Sequence, residues 1–169
     1  LRPDAIALAS KNGRVTYGAL EEASNRLARL LADAGCRRGD RVALLMPKSP
    51  QAIVAMLGVL KADAAYVPLD PAGPDARLAR MLEVSDCCCI LASGPLGRML
   101  RDVLAAAELQ RRPVIGWLDD EPPPELDPER HSPCAISGAI RRRRPRPPLT
   151  IATWRTFCSR PVPRERPKE

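Results

Sequence analysis

Between Gly18 and Ala34 the apolar residues Leu20, Ala23, Leu27, Leu30, Leu31 and Ala34 recur at steps of three and four, with Glu21 and Glu22 near the start and Gly35 just past the end. This period predicts an amphipathic helix with a glycine C-cap. Gly39-Asp40 then turns the chain into Val42-Ala43-Leu44-Leu45-Met46, closed by Pro47. A short unbroken apolar run bounded by turn residues predicts a strand covered on both faces. Ser49 can cap the next helix with Pro50 at its first position. Ile53, Val54, Met56, Leu57 and Leu60 are expected as that helix's buried face, and it should end near Ala62.

The alternation continues. Ala64-Ala65-Tyr66-Val67 is a second strand candidate, and Pro68, Pro71, Gly73 and Pro74 break the chain before Leu78, Met81 and Leu82 mark another helix. Cys87 to Leu91 is again strand-like, Leu96 to Leu109 helix-like, and Pro113 to Leu118 a fourth apolar strand candidate. Strands alternating with helices of this length make crossover units, so the expected fold class is α/β, a parallel sheet with helices on both faces. After about Asp119 the periodicity stops, and Pro122-Pro123-Pro124 leads into a region dominated by Arg and Pro. The expected organisation is a partial domain over residues 1–120 and a disordered basic tail over residues 121–169, which has no pattern from which to build a core.

Charge sharpens that division. The chain of 169 residues is 45% hydrophobic and carries a net charge of +7. Residues 1–130 hold 17 Lys and Arg against 18 Asp and Glu, whereas residues 131–169 hold 10 against 2. The basic character therefore belongs to the tail alone. Cys36, Cys87, Cys88, Cys89, Cys134 and Cys158 show neither the paired spacing of a zinc site nor the even scatter of a disulfide scaffold, which fits a reduced, cytoplasmic setting. No apolar run reaches the roughly 18 residues of a membrane span, and no leader pattern is present. Because the chain starts at Leu1, the missing leader carries no weight.

Specific residues point further. Pro3-Asp4-Ala5-Ile6-Ala7-Leu8, then Val15-Thr16-Tyr17-Gly18-Ala19-Leu20, resembles the opening of adenylate-forming (AMP-binding) enzymes, in which a strand precedes a "T-Y-x-E-L" helix start. Ala19 stands where that family usually has Glu. Asn25-Arg26-Leu27-Ala28-Arg29-Leu30-Leu31 and Gly39-Asp40-Arg41-Val42-Ala43-Leu44-Leu45 continue the likeness in order and spacing. The segment Leu60-Lys61-Ala62-Asp63-Ala64-Ala65-Tyr66-Val67-Pro68-Leu69-Asp70-Pro71 is similar to the "L-K-A-G-A-A-Y-V-P-L-D-P" core motif of nonribosomal peptide synthetase adenylation domains. Asp63 replaces the usual glycine, and if the position needs a positive φ, Asp is among the better substitutes though still strained. Arg77-Leu78-Ala79 with Met81-Leu82 resembles the family's next helix, so the likeness spans residues 3–118.

The resemblance implies an incomplete N-terminal subdomain of the adenylate-forming fold. An intact relative is expected to bind ATP and Mg²⁺, join a carboxylic or amino acid to AMP, and pass the acyl group to a phosphopantetheine thiol on a carrier protein or to CoA. Such enzymes hold the phosphates in a loop of the form "T-S-G-S-T-G-x-P-K-G", where backbone N–H groups surround phosphate oxygens and Lys adds a point charge. That loop is not in the printed sequence, which has Thr153-Trp154-Arg155-Thr156-Phe157-Cys158-Ser159-Arg160-Pro161 and onward where it is expected.

Reading the tail's codons from their third base gives a different result. From Thr153/Trp154 the shifted frame permits Leu, Ala, Tyr, Ile, Leu, Phe, Thr, Ser, Gly, Ser, Thr, Gly, Ala, Pro, Lys, Gly, which is the missing loop with its preceding strand. The expectation is a frame slip between about Asp120 and Thr150, which makes the Arg/Pro tail a product of frame. No catalytic, cofactor-binding or metal-ligating residue is assigned, and the chain itself is expected to use no cofactor.

Other features receive plainer readings. Arg141-Arg142-Arg143-Arg144-Pro145-Arg146 has the charge of a nucleic-acid arm, but is read as solvated chain. Cys87-Cys88-Cys89 is read as core packing, because strand neighbours alternate faces and cannot converge on one ion. His131 has no partner to orient it for catalysis. Ser93-Gly94-Pro95-Leu96-Gly97 is read as a strand-to-helix turn without the Lys of a phosphate loop, and Asp40 and Asp70 as caps on local backbone donors. An acyl-CoA synthetase fragment and a small α/β module with a nucleic-acid-binding basic arm are the alternative functions.

Overall fold

The structure is a computed structural model that describes residues 2–11 and 13–119. The expected tail at 121–169, with His131, Cys134, Cys158 and the arginine run, lies outside the described residues.

The chain opens with an antiparallel hairpin of β1 (Ile6–Ser10) and β2 (Gly13–Thr16). The second strand was not expected, since Gly13-Arg14-Val15-Thr16 is too short and polar to show alternation. Thr16 then caps α1 (Tyr17–Asp33), its hydroxyl accepting from the Ala19 N–H at 3.2 Å. Gly35, at φ 92°, ends the helix: its N–H donates to the Ala32 carbonyl and the Cys36 N–H to the Leu31 carbonyl. These two bonds form a Schellman cap, which only a residue comfortable in left-handed backbone closes without strain.

Four parallel strands follow: β3 (Arg41–Leu45), β4 (Ala65–Leu69), β5 (Cys89–Ala92) and β6 (Val114–Trp117), in spatial order β4-β3-β5-β6. The connecting helices are α2 (Pro50–Lys61), α3 (Asp75–Ser85) and α4 (Gly97–Ala106). Side chains alternate across the sheet, so Val42, Leu44, Cys89 and Leu91 meet α1 and α2 on one face. Ala43, Leu45, Ile90 and Ala92 meet α3 and α4 on the other. The expected α/β sheet with both faces covered is the one observed.

Some boundaries differ for identifiable reasons. β4 runs through Pro68 to Leu69, although proline usually ends a strand. It lies at the sheet edge, where a missing N–H can face away from the ladder. β5 starts at Cys89 rather than Cys87, and α4 stops at Ala106. The buried face of α2 is also rotated from the expected one: Ala52, Val54, Ala55, Gly58 and Val59 are buried, while Ile53 and Leu60 are exposed. The small residues set this rotation. A Cβ placed on Gly58 would lie 2.8–2.9 Å from Leu27 Cδ2, Cβ and Cγ, so α2 approaches α1 along a face that large side chains would hold apart.

A polar tie crosses the same helix pair. Ser24, fully buried in α1, donates to the Leu20 carbonyl at 2.8 Å and accepts from Lys61 Nζ of α2 at 2.8 Å. Lys61 also reaches Asn25 Oδ1 at 2.9 Å and the Glu21 carboxylate at 2.8 Å, and its hydrogen bond holds the Glu21 carboxyl below its ordinary range. Lys61→Met is expected to cost about 1–3 kcal/mol through the lost charged hydrogen bond to buried Ser24. Urea unfolding checks this, and equal midpoints for the two chains would refute it.

Candidate functional site

In a doubly covered parallel sheet the ligand crevice opens at the carboxyl ends of the strands, where successive connections leave in opposite directions. Here β3 connects outward to β4 and β5 connects the other way to β6, so that point lies between β3 and β5. The segments that meet there are Met46-Pro47-Lys48-Ser49, Ser93-Gly94-Pro95 and Asp119. Their geometry follows from the chain ends of the strands. Ser93 N–H still donates to the Leu45 carbonyl at 3.3 Å, and Gly94 turns away at φ 83° with Pro47 beside it.

The Gly94 N–H donates to the Asp119 carboxylate, so an anion supplied by the chain already occupies the turn. Ser93 Oγ is buried and finds no hydrogen-bond partner among the described residues. Ser49 Oγ accepts from the Ala52 N–H at 3.2 Å and caps α2, as the sequence predicts. Asp70 accepts from the Ala72 N–H at 3.0 Å and Asp40 from the Arg37 N–H at 2.8 Å, which are the capping duties read for both. Asp63 adopts φ 56°, so the position does require left-handed backbone, and its carbonyl accepts from the Gly39 N–H at 2.8 Å.

These residues do not fit a nucleotide triphosphate. The N–H that a phosphate would need at Gly94 is taken by a carboxylate, Ser93 to Gly97 contains no lysine, and Lys48 of the neighbouring segment is exposed rather than set into a phosphate-binding turn. An apolar hollow lies elsewhere, between α1 and β6, lined by Leu30, Ala34, Val114, Gly116 and Leu118, and is far too small for ATP. No helix among the described residues is long and apolar enough to cross a membrane.

Comparison with known proteins decides the family. The sequence profile described as "AMP-binding enzyme" matches residues 1–153. The chain belongs to the AMP-binding enzyme family. Among AMP-binding relatives, the chain is 45% identical over 109 residues to a dimodular nonribosomal peptide synthase of Bacillus subtilis, a match covering 64% of this chain and 5% of that protein. A crystal structure of a nonribosomal peptide synthetase, FmoA3, in its α-methyl-L-serine-AMP bound form aligns with a TM-score of 0.58 at 30% identity, over 69% of this chain and 12% of that one. A benzoate CoA ligase from Burkholderia xenovorans aligns at TM-score 0.60 and 28% identity, over 69% of this chain and 23% of that one. The chain thus spans a small fraction of the AMP-binding relatives it matches.

The cysteines end up in two kinds of place. Cys89, on β5, packs with Leu91 on the α1 and α2 face, whereas Cys87 precedes the strand and packs into the opposite core. Cys88 is only half-buried and packs against the α1 and α2 core from its margin. It lies beside Cys36 and Asp40, a juxtaposition with no local signature, because Cys36 and Asp40 come from the α1–β3 connection and Cys88 from the α3–β5 connection.

Proposed function

We propose that this chain is the N-terminal part of an adenylation domain of the nonribosomal peptide synthetase type. The whole domain activates an amino or carboxylic acid with ATP and passes it to a carrier-protein thiol. The 169 residues as printed do not carry out that reaction. The observation that carries the reading is the run Leu60 to Pro71, which follows the peptide-synthetase motif through α2, the left-handed turn at Asp63 and β4. The relatives' identities support the same branch. Residues 1–120 supply one partial sheet of the ligase, and the phosphate loop belongs to the segment beyond it. The family match ends at residue 153, where the out-of-register reading begins with the strand that precedes the loop, and the frame slip itself is placed between about Asp120 and Thr150.

The test has two parts. Nucleotide sequence from about codon 115 to beyond codon 169, read in all frames, is expected to contain the glycine-and-hydroxyl loop out of register. Amino-acid-dependent exchange of pyrophosphate into ATP is then expected from a gene product with the frame restored and its downstream sequence included, and not from the 169-residue chain. Exchange by the purified 169-residue chain, or DNA without the loop in any frame, overturns the proposal. A fragment of an acyl-CoA synthetase is the second reading, supported by the likeness to benzoate CoA ligase. Transfer to CoA rather than to a carrier protein by the frame-restored product selects it.

A further inference from the structure

At the end of the sheet opposite the crevice, three side chains with metal-binding atoms converge. The Cys36 thiol, the Cys88 thiol and a carboxylate oxygen of Asp40 all lie within 4.8 Å of one another, each half-buried and open to solvent on one side. We propose that Cys36, Asp40 and Cys88 form a binding site for a soft divalent cation of the zinc type, with a water completing four-coordination.

The site is built by backbone that the fold already fixes. Cys36 is the residue whose N–H closes the Schellman cap of α1, at 2.9 Å from the Leu31 carbonyl. Asp40 sits in a turn held from both sides: its N–H donates to the Arg37 carbonyl at 3.0 Å, and its Oδ2 accepts from the Arg37 N–H at 2.8 Å. Cys88 is tied into the ladder at the start of β5, donating to the Arg41 carbonyl and accepting from the Val114 N–H, both at 2.9 Å. A carboxylate with one oxygen held by a backbone donor is the usual outer-shell arrangement of a metal ligand. Zn–S bonds of about 2.3 Å at tetrahedral angles place two thiolates about 3.8 Å apart, so the two sulfurs need to close by at most about 1 Å.

Ligand chemistry selects the ion. Two sulfurs and one carboxylate suit zinc and its soft relatives, and not Mg²⁺, which takes oxygen ligands in an octahedron. Burial pushes the Cys88 thiol up to about 12 and raises the Cys36 thiol as well, so in the absence of metal both are protonated. As the two metal–sulfur bonds form, two thiol protons leave to solvent. Arg111, whose charge acts on both thiols, is engaged by Asp86, its Nε lying 3.0 Å from the carboxylate. A bound ion would staple the end of α1 to the starts of β3 and β5. This role is separate from adenylation and does not depend on the proposed function.

The test uses the reduced, metal-free 169-residue chain. One equivalent of Co²⁺ is expected to produce thiolate charge-transfer and tetrahedral absorption bands that Zn²⁺ abolishes. Cys36→Ser, Cys88→Ser and Asp40→Asn each weaken binding at least tenfold, while a Cys134→Ser/Cys158→Ser chain binds as before. A measurement that needs no variant is alkylation of the unmodified chain, followed peptide by peptide: Zn²⁺ slows modification of Cys36 and Cys88 at least tenfold. Protection confined to Cys134 and Cys158, binding that survives loss of both Cys36 and Cys88, or a chain that forms a Cys36–Cys88 disulfide in air yet takes up no Co²⁺ when reduced, overturns the proposal.

Discussion

Gly58→Ala lowers the stability of the folded chain by about 1–3 kcal/mol, although alanine is the better helix former by about 1 kcal/mol. The added Cβ would meet Leu27 at 2.8–2.9 Å, and two of the three atoms it meets are the Cβ and Cγ of a side chain only 2% exposed. Rotating a terminal methyl does not clear such a contact, so α1 and α2 must separate along their whole interface. Gly116 is an informative control. A Cβ there meets Leu91 Cδ2 at 2.7 Å, but this is the tip of a side chain bordering the hollow between α1 and β6, and the tip can swing into it. Gly116→Ala is therefore expected to cost less than half as much. Urea unfolding of the two single variants, and of Gly58→Ala combined with Leu27→Ala, measures the coupling. A Gly58→Ala chain as stable as the parent would show that the helices have slack that the packing does not suggest.

The second large effect appears in alkali. Cys89 is fully buried among apolar side chains, and burial, followed by its neighbouring thiols, raises its thiol above the ordinary range. A thiol whose folded value exceeds its unfolded value of about 8.5 stabilises the protein fully below that value. Above it the unfolded chain loses the proton first, so stability falls as pH rises, by about 1.4 kcal/mol per pH unit for a fully buried thiol. Between pH 9 and pH 11 the loss attributable to Cys89 is expected to be about 3 kcal/mol. Cys88, raised to about 12 by burial, adds a smaller share because it is half exposed to solvent. Comparison with Cys89→Ala separates this effect from the general titration of lysines and tyrosines. The variant is somewhat less stable at pH 7 but loses less between pH 9 and pH 11, and parallel pH profiles would remove the thiol from the explanation.

Local rules made much of this protein legible from its residues. The glycine after α1, the Ser49-Pro50 start of α2 and the apolar runs of the sheet each act through nearest neighbours in the chain, and all are present, with the bounds of β4 and β5 shifted by one or two residues from those read. Asp63 in left-handed backbone followed from the same kind of argument, applied to a motif in which glycine is usual. The likeness to adenylate-forming enzymes was likewise carried by contiguous segments in a fixed order, and the family match confirms it.

What the sequence left open depends on distances between segments. Which face of α2 is buried was decided by how closely α1 can approach Gly58, and hydrophobicity alone favoured the wrong side, Ile53 and Leu60. The occupation of the Gly94 turn by Asp119 required β6 to lie beside β5. The meeting of Cys36, Asp40 and Cys88 required the end of α1 to come down beside the starts of two neighbouring strands. Periodicity specifies the kind of element and, where one stripe is clearly the more apolar as in α1, the side that turns inward, because it depends on the residue repeat of a single helix or strand. It does not specify what another segment brings to that side, because this depends on the parallel order β4-β3-β5-β6 and on contacts that exist only once the chain has closed on itself.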